Sequence, residues 1–151
     1  MKKHILAVFV SSSVLVLTAC GGGDGDSTSV IVDDGVPKNN IVNPVVRVEA
    51  YTDVDINANV VLDSVSSSKT LMTYLMRGVN GSETQATALV FKPKGPMPAG
   101  GWPIVAWAHG TTGVADQCAP SQQGLGGNEF LIAKLLVAGY AVVAPDYEGL
   151  G

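Results

Sequence analysis

The sequence predicts an α/β fold in which an antiparallel hairpin leads into a strand–helix–strand unit. Three observations carry this prediction. Pro103–Ala108 is a nearly continuous apolar run of strand length. Glu129–Ala138 follows with helical character, between Asn128 as a capping residue and Gly139 as a stop. Tyr140–Pro145 (YAVVAP) is a second apolar run. Short apolar runs on either side of a helix are the pattern of a mostly parallel sheet covered on both faces. A strand, helix and strand in this order form a unit whose crossover is expected to be right-handed.

The first nineteen residues read as an export leader rather than as part of the fold. Met1-Lys2-Lys3 is basic, and an apolar run from Ile5 to Leu17 follows, broken only by Ser11–Ser13. A bilayer-spanning helix needs roughly 20 apolar residues, so this run fits a signal-peptide core instead. Leu17-Thr18-Ala19-Cys20 then resembles a bacterial lipobox, in which the Cys thiol is acylated and becomes the new amino terminus. On that resemblance Cys20 is a lipidation site that anchors the chain to the cell envelope. Gly21 after it implies the outer membrane if the host is Gram-negative. Anchoring is stable only with more than one acyl chain, since a single chain binds membranes marginally.

Residues 20–44 are expected to be a flexible tether, given Gly21-Gly22-Gly23-Asp24-Gly25 and Pro37-Lys38-Asn39-Asn40. Residues 45–151 are the expected domain. Val45–Tyr51 and Asn59–Leu62 carry the β-branched content of strands. Lys69–Arg77 and Thr84–Phe91 flank Asn80-Gly81, a hairpin signal because both residues tolerate the positive φ of tight turns. Lys92–Gly101 is dense in Pro and Gly and reads as an exposed connector.

Charge excludes one class of partner. Without the first twenty residues the chain carries 7 basic and 13 acidic residues, a net charge of −6, and no basic cluster to hold nucleic acid. No cofactor motif is present, and no His, Cys or acid cluster has the spacing of metal ligands.

The terminal unit carries the chemistry. The strand ends in His109-Gly110-Thr111-Thr112-Gly113, Cys118-Ala119-Pro120-Ser121 follows, and the second strand runs into Asp146-Tyr147-Glu148-Gly149-Leu150-Gly151. Open α/β sheets place ligands at the carboxyl ends of their strands, where both loops fall. Together these segments resemble the α/β-hydrolase superfamily, and AHGTTG with CAPS is similar to bacterial and fungal secretory lipases. The resemblance covers Lys69 to Gly151, about half the chain.

It implies the amino-terminal part of an α/β-hydrolase sheet, incomplete, and a carboxylic-ester hydrolase working through an acyl-enzyme. The implied oxyanion hole uses Gly110 and Thr111: the Thr111 N–H donates, and Gly110 permits close approach. His109, Thr112 and Gly113 support that loop, and Asp146 and Tyr147 belong to the sheet-edge loop. The substrate class is an ester or lipid, and no cofactor is implied.

The triad is missing from these residues. G-x-S-x-G does not occur; Gly81-Ser82 lies in a turn, and Ser121 follows a proline. His4 leaves with the leader, and His109 stands in the oxyanion loop rather than in the base position. Asp146 and Glu148 precede the point at which the family supplies its acid. The chain is therefore expected to be a fragment, inactive alone, with an open sheet edge that favours aggregation. Cys118, in what reads as a loop between Gln117 and Ala119-Pro120 and left single once Cys20 is acylated, is a candidate for a disulfide to the missing part. Two other readings stand beside this one: a prolyl-oligopeptidase-type serine peptidase fragment, and a non-catalytic surface lipoprotein that binds a partner.

Overall fold

The computed structural model describes residues 40–151. The leader, Cys20 and most of the expected tether lie outside the described residues. Five strands form one mixed sheet in the order β1-β2-β3-β5-β4. They are β1 (Val45–Ala50), β2 (Ser66–Arg77), β3 (Glu83–Pro93), β4 (Ile104–Ala106) and β5 (Ala141–Pro145). The first three are antiparallel neighbours; β3 also pairs antiparallel with β5, and β5 pairs parallel with β4. The hairpin followed by a strand–helix–strand unit is therefore present, and β3 joins the two halves.

The register shows where the core sits. Leu71 lies opposite Leu89, and Leu89 opposite Ala144; Phe91 lies opposite Val142, and Val142 opposite Val105. Directly paired residues share a face, so these rows form one apolar surface. Helices α1 (Ile56–Val65) and α3 (Glu129–Val137) pack against each other and supply Leu62, Ile132 and Leu136 to it. Burying each such side chain stabilises the fold by about 1.5–3 kcal/mol.

Four local expectations are corrected. Asn59–Leu62 is not a strand but the middle of α1. The Asp55 carboxylate accepts the Asn57 N–H at 2.8 Å and caps the helix, while Ala58 and Leu62, four residues apart, face the core. The β-branched Val60 and Val61 suggested a strand because a short apolar run carries little periodicity.

Asn128 occupies the N-cap position of α3 without capping it; its side-chain amide donates instead to the Leu125 carbonyl at 2.8 Å. The other end of α3 matches expectation. Gly139 has φ +88°, Tyr140 N–H donates to Leu135 and Gly139 N–H to Leu136, the two bonds of a Schellman stop.

The run Pro103–Ala108 is not covered on both faces. Only Ile104–Ala106 is strand, and it forms a sheet edge with Ile104 70% exposed. Finally, the segment around Cys118 is not an open loop but a 3₁₀ turn, Asp116–Cys118, followed by a single helical turn α2 (Pro120–Gln123). Pro120 suits the first position of α2, where a missing N–H costs nothing.

Candidate functional site

Beyond Ala106 the edge strand continues for one more bond, from the Trp107 N–H to the Val143 carbonyl at 2.8 Å. The chain then leaves the sheet and turns through His109–Gly113. His109 is buried, whereas Gly110, Thr111 and Thr112 are exposed. Its Nδ1 lies 2.6 Å from the Gly110 carbonyl oxygen. A carbonyl only accepts, so Nδ1 carries a proton and donates. Nε2 is buried and meets no partner among the described residues. The imidazole stacks on Tyr147, with centroids 4.1 Å apart and planes 18° from parallel, and Trp107 lies beside it at 6.3 Å. The Tyr147 hydroxyl donates to the His109 carbonyl. Among the described residues, the N–H groups of Gly110 and Thr111 donate to no acceptor.

The far end of the turn rests on the CAPS segment. Gly113 has φ +140°, and a Cβ there would overlap the Cys118 side chain, 2.9 Å from its Cβ. The Cys118 thiol is free and half-buried. The Gln123 side-chain amide donates to the Cys118 carbonyl at 2.7 Å, and Ala119 and Pro120 are buried.

Asp146 ties this segment to the sheet. It is 2% exposed. One carboxylate oxygen accepts the Thr87 hydroxyl at 2.6 Å, the other accepts the Ser121 N–H at 3.2 Å, and its own N–H donates to the Thr87 carbonyl. Both oxygens are thus committed to structure, as buried carboxylates require. Glu148 reaches the β2–β3 turn and accepts the Val79 N–H at 2.8 Å. The sheet-edge loop is therefore bound to the hairpin, to CAPS and to the His109 turn at once.

Of the residues singled out from sequence, His109, Gly110 and Tyr147 form one contact network, with Thr111 next to it in the chain, and Gly113 with Cys118 form another. Thr87 was not anticipated. Its signal was a polar residue on the core-facing side of TQATALVF, two positions before Leu89.

A groove of about 560 Å³ lies elsewhere, lined by Tyr51, Asp53, Asn59, Asp63 and Lys69 among others, and takes in none of the turn residues. Its polar groups bond to one another: Tyr51 hydroxyl to Asp53 at 3.0 Å, Lys69 ammonium to Asn59 at 2.7 Å and to Asp63 at 2.6 Å. Burial, then the nearby Asp53 carboxylate, pushes the Tyr51 hydroxyl well above its ordinary value. Burial, then the charge of Asp146, raises Tyr74 likewise.

Chemically, the turn offers two adjacent N–H donors without partners, in residues that are exposed. Among the described residues no hydroxyl or thiol is hydrogen-bonded to a histidine ring nitrogen, and no group of His, Cys, Asp and Glu is placed to hold a metal. No helix among them is long and apolar enough to cross a membrane.

No family model and no curated protein matches the chain. Solved structures do. Candida antarctica lipase A in its closed state is 20% identical with a TM-score of 0.57, over 70% of this chain and 26% of that one. The rice cell wall degrading esterase LipA from Xanthomonas oryzae, in a ligand-bound form, is 24% identical with a TM-score of 0.52, over 72% of this chain and 30% of that one. The five-stranded sheet is thus a partial α/β-hydrolase fold, and the chain spans under a third of the length of these two proteins.

Proposed function

We propose that this chain supplies the oxyanion-stabilising part of a carboxylic-ester hydrolase whose nucleophile, acid and base lie outside these 151 residues. The observation that carries the reading is the pair of unpartnered N–H groups of the exposed residues Gly110 and Thr111, in a turn at the carboxyl end of β4. A lipase and an esterase among the structural neighbours support an ester or lipid substrate. Asp146 does not enter the chemistry, since Thr87 and Ser121 occupy its carboxylate.

The test begins with the coding sequence past Gly151. The proposal expects an open frame containing G-x-S-x-G, then an acid, then a His. It also expects its product to hydrolyse a short-chain p-nitrophenyl ester that the 151-residue protein leaves intact. Turnover by the 151-residue protein itself would overturn the reading.

Membrane anchoring through Cys20 belongs to the same proposal and is supported by the Leu17–Cys20 lipobox pattern. Palmitate labelling in a bacterial host is expected to mark the protein and to vanish in Cys20→Ser; labelling that survives this substitution removes the anchor.

A further inference from the structure

The two candidate donors share an arrangement that singles out the residues holding them. In a trans peptide, the carbonyl of one residue and the N–H of the next lie in one plane and point in opposite directions. The described peptide bonds are all trans. The Gly110 N–H therefore belongs to the same plane as the His109 carbonyl, and the Thr111 N–H to the same plane as the Gly110 carbonyl. Each of these carbonyls is held. The Tyr147 hydroxyl donates to the first, and the protonated Nδ1 of His109 donates to the second at 2.6 Å. The imidazole is fixed in turn by stacking on the Tyr147 ring.

We propose that His109 and Tyr147 are positioning residues that lock two successive peptide planes and so present the Gly110 and Thr111 N–H groups to an oxyanion. The inference rests on the oxyanion reading of this turn and adds what orients it. Locking matters because donors that need no reorganisation during the reaction are the effective ones. Bonding at each carbonyl also polarises its peptide, which strengthens the N–H on the other side.

The arrangement restricts the protonation of the ring as well. With Nδ1 donating to the Gly110 carbonyl, a ring protonated at Nε2 alone does not fit. Tyr147 thereby gains a task beyond lying at the sheet edge: it couples the loop after β5 to the turn after β4. Only the hydroxyl makes the bond to the His109 carbonyl, while the ring makes the stack, so Tyr147→Phe separates the two contributions.

Two measurements test this, one of them independent of catalysis. Imidazole ¹⁵N resonances of the full 151-residue chain should show His109 protonated at Nδ1. Tyr147→Phe should move the Gly110 amide resonance more than the amides of β3. A His109 protonated at Nε2 alone, or a Gly110 amide that stays put, overturns the clamp.

The second measurement uses the ester-hydrolysing product of the extended frame. Tyr147→Phe is expected to lower kcat about 3- to 10-fold with KM unchanged, the usual scale of one lost hydrogen bond. His109→Asn, whose amide nitrogen falls where Nδ1 was, should retain more kcat than His109→Gln, whose nitrogen falls at Nε2. Equal losses in those two variants, or a change confined to KM, overturn the positioning role. If the resonances behave as expected while Thr111→Pro leaves hydrolysis intact, the oxyanion reading fails and the clamp is local order only.

Discussion

Two polar clusters in this chain are built from similar parts and left in different states. Around Asp53 every group named is answered. The Tyr51 hydroxyl and the Asp55 N–H donate to the carboxylate, the Asp53 N–H donates to Asn59, and Lys69 closes the set by bonding Asn59 and Asp63. Around His109 the carbonyls are answered and the N–H groups are not. Saturated networks rigidify a fold, whereas exposed donors left open beside fixed partners are ready for a ligand. The difference fits the first cluster to scaffold and the second to the proposed chemistry, although it is the first that lines a groove.

The most severe way to break that contrast is to delete an open donor. Thr111→Pro removes an N–H that makes no bond in the fold, and in the ester-hydrolysing product it is expected to cost on the order of 10²–10³ in kcat. Thermal melting of the variant should stay close to that of the parent, because no native hydrogen bond is lost. A melt lowered in proportion to the activity would show the turn to be scaffold after all.

The converse variant is Asp53→Ala. It leaves the buried Tyr51 hydroxyl without an acceptor, at about 1–3 kcal/mol, while the N–H of the exposed Asp55 can turn to water. Urea unfolding should reveal a loss of about 1–3 kcal/mol, with kcat of the folded enzyme unchanged. Lys69→Met should cost less. Its partner Asp63 is largely exposed, so that ion pair is screened, and the Asn59 bond is the larger loss.

Gly113→Ala probes the seam between the turn and its support. A φ of +140° strains any residue with a Cβ, and the added methyl would press on Cys118. A destabilisation of about 1–3 kcal/mol is expected on that scale. Pairing it with Cys118→Ala should restore the part due to overlap with Sγ and leave the contact with the Cβ of residue 118 and the backbone strain, so a double-mutant cycle isolates the Sγ part.

How much of this was legible beforehand follows from the range of each interaction. The hairpin, α3 with its glycine stop, and β5 rest on local patterns, and each could be read from neighbouring residues. Asn59–Leu62 was misread although the Asp55 cap is a local signal, two residues before the N–H it accepts; only the inward face of α1 depends on packing against β2 and α3. The placement of β4 at an edge is likewise a property of the sheet, not of the apolar run. The residues of the proposed oxyanion turn were picked out through a family pattern. What holds them was not: the Tyr147 hydroxyl reaches back 38 residues, and Thr87 meets Asp146 across 59. Chain spacing carries no trace of such contacts.

The mildest prediction sharpens the scaffold side through pH. The Tyr51 hydroxyl is held neutral by burial and then by the adjacent Asp53 carboxylate, so it ionises at higher pH in the fold than in the unfolded chain. Above the ordinary tyrosine value near 10 the unfolded chain therefore releases a proton that the fold keeps. Stability is then fully present below about pH 10 and falls as pH rises beyond it, by at most about 1.4 kcal/mol per pH unit for one such group. Tyr74 shifts in the same direction and contributes a second slope. Tyr51→Phe should lose about 1 kcal/mol at neutral pH with the Asp53 bond, then fall less steeply than the parent between pH 10 and 11. Parallel curves for the two proteins through that range would mean that Tyr51 ionises freely, and that the Asp53 cluster is less closed than its bonds imply.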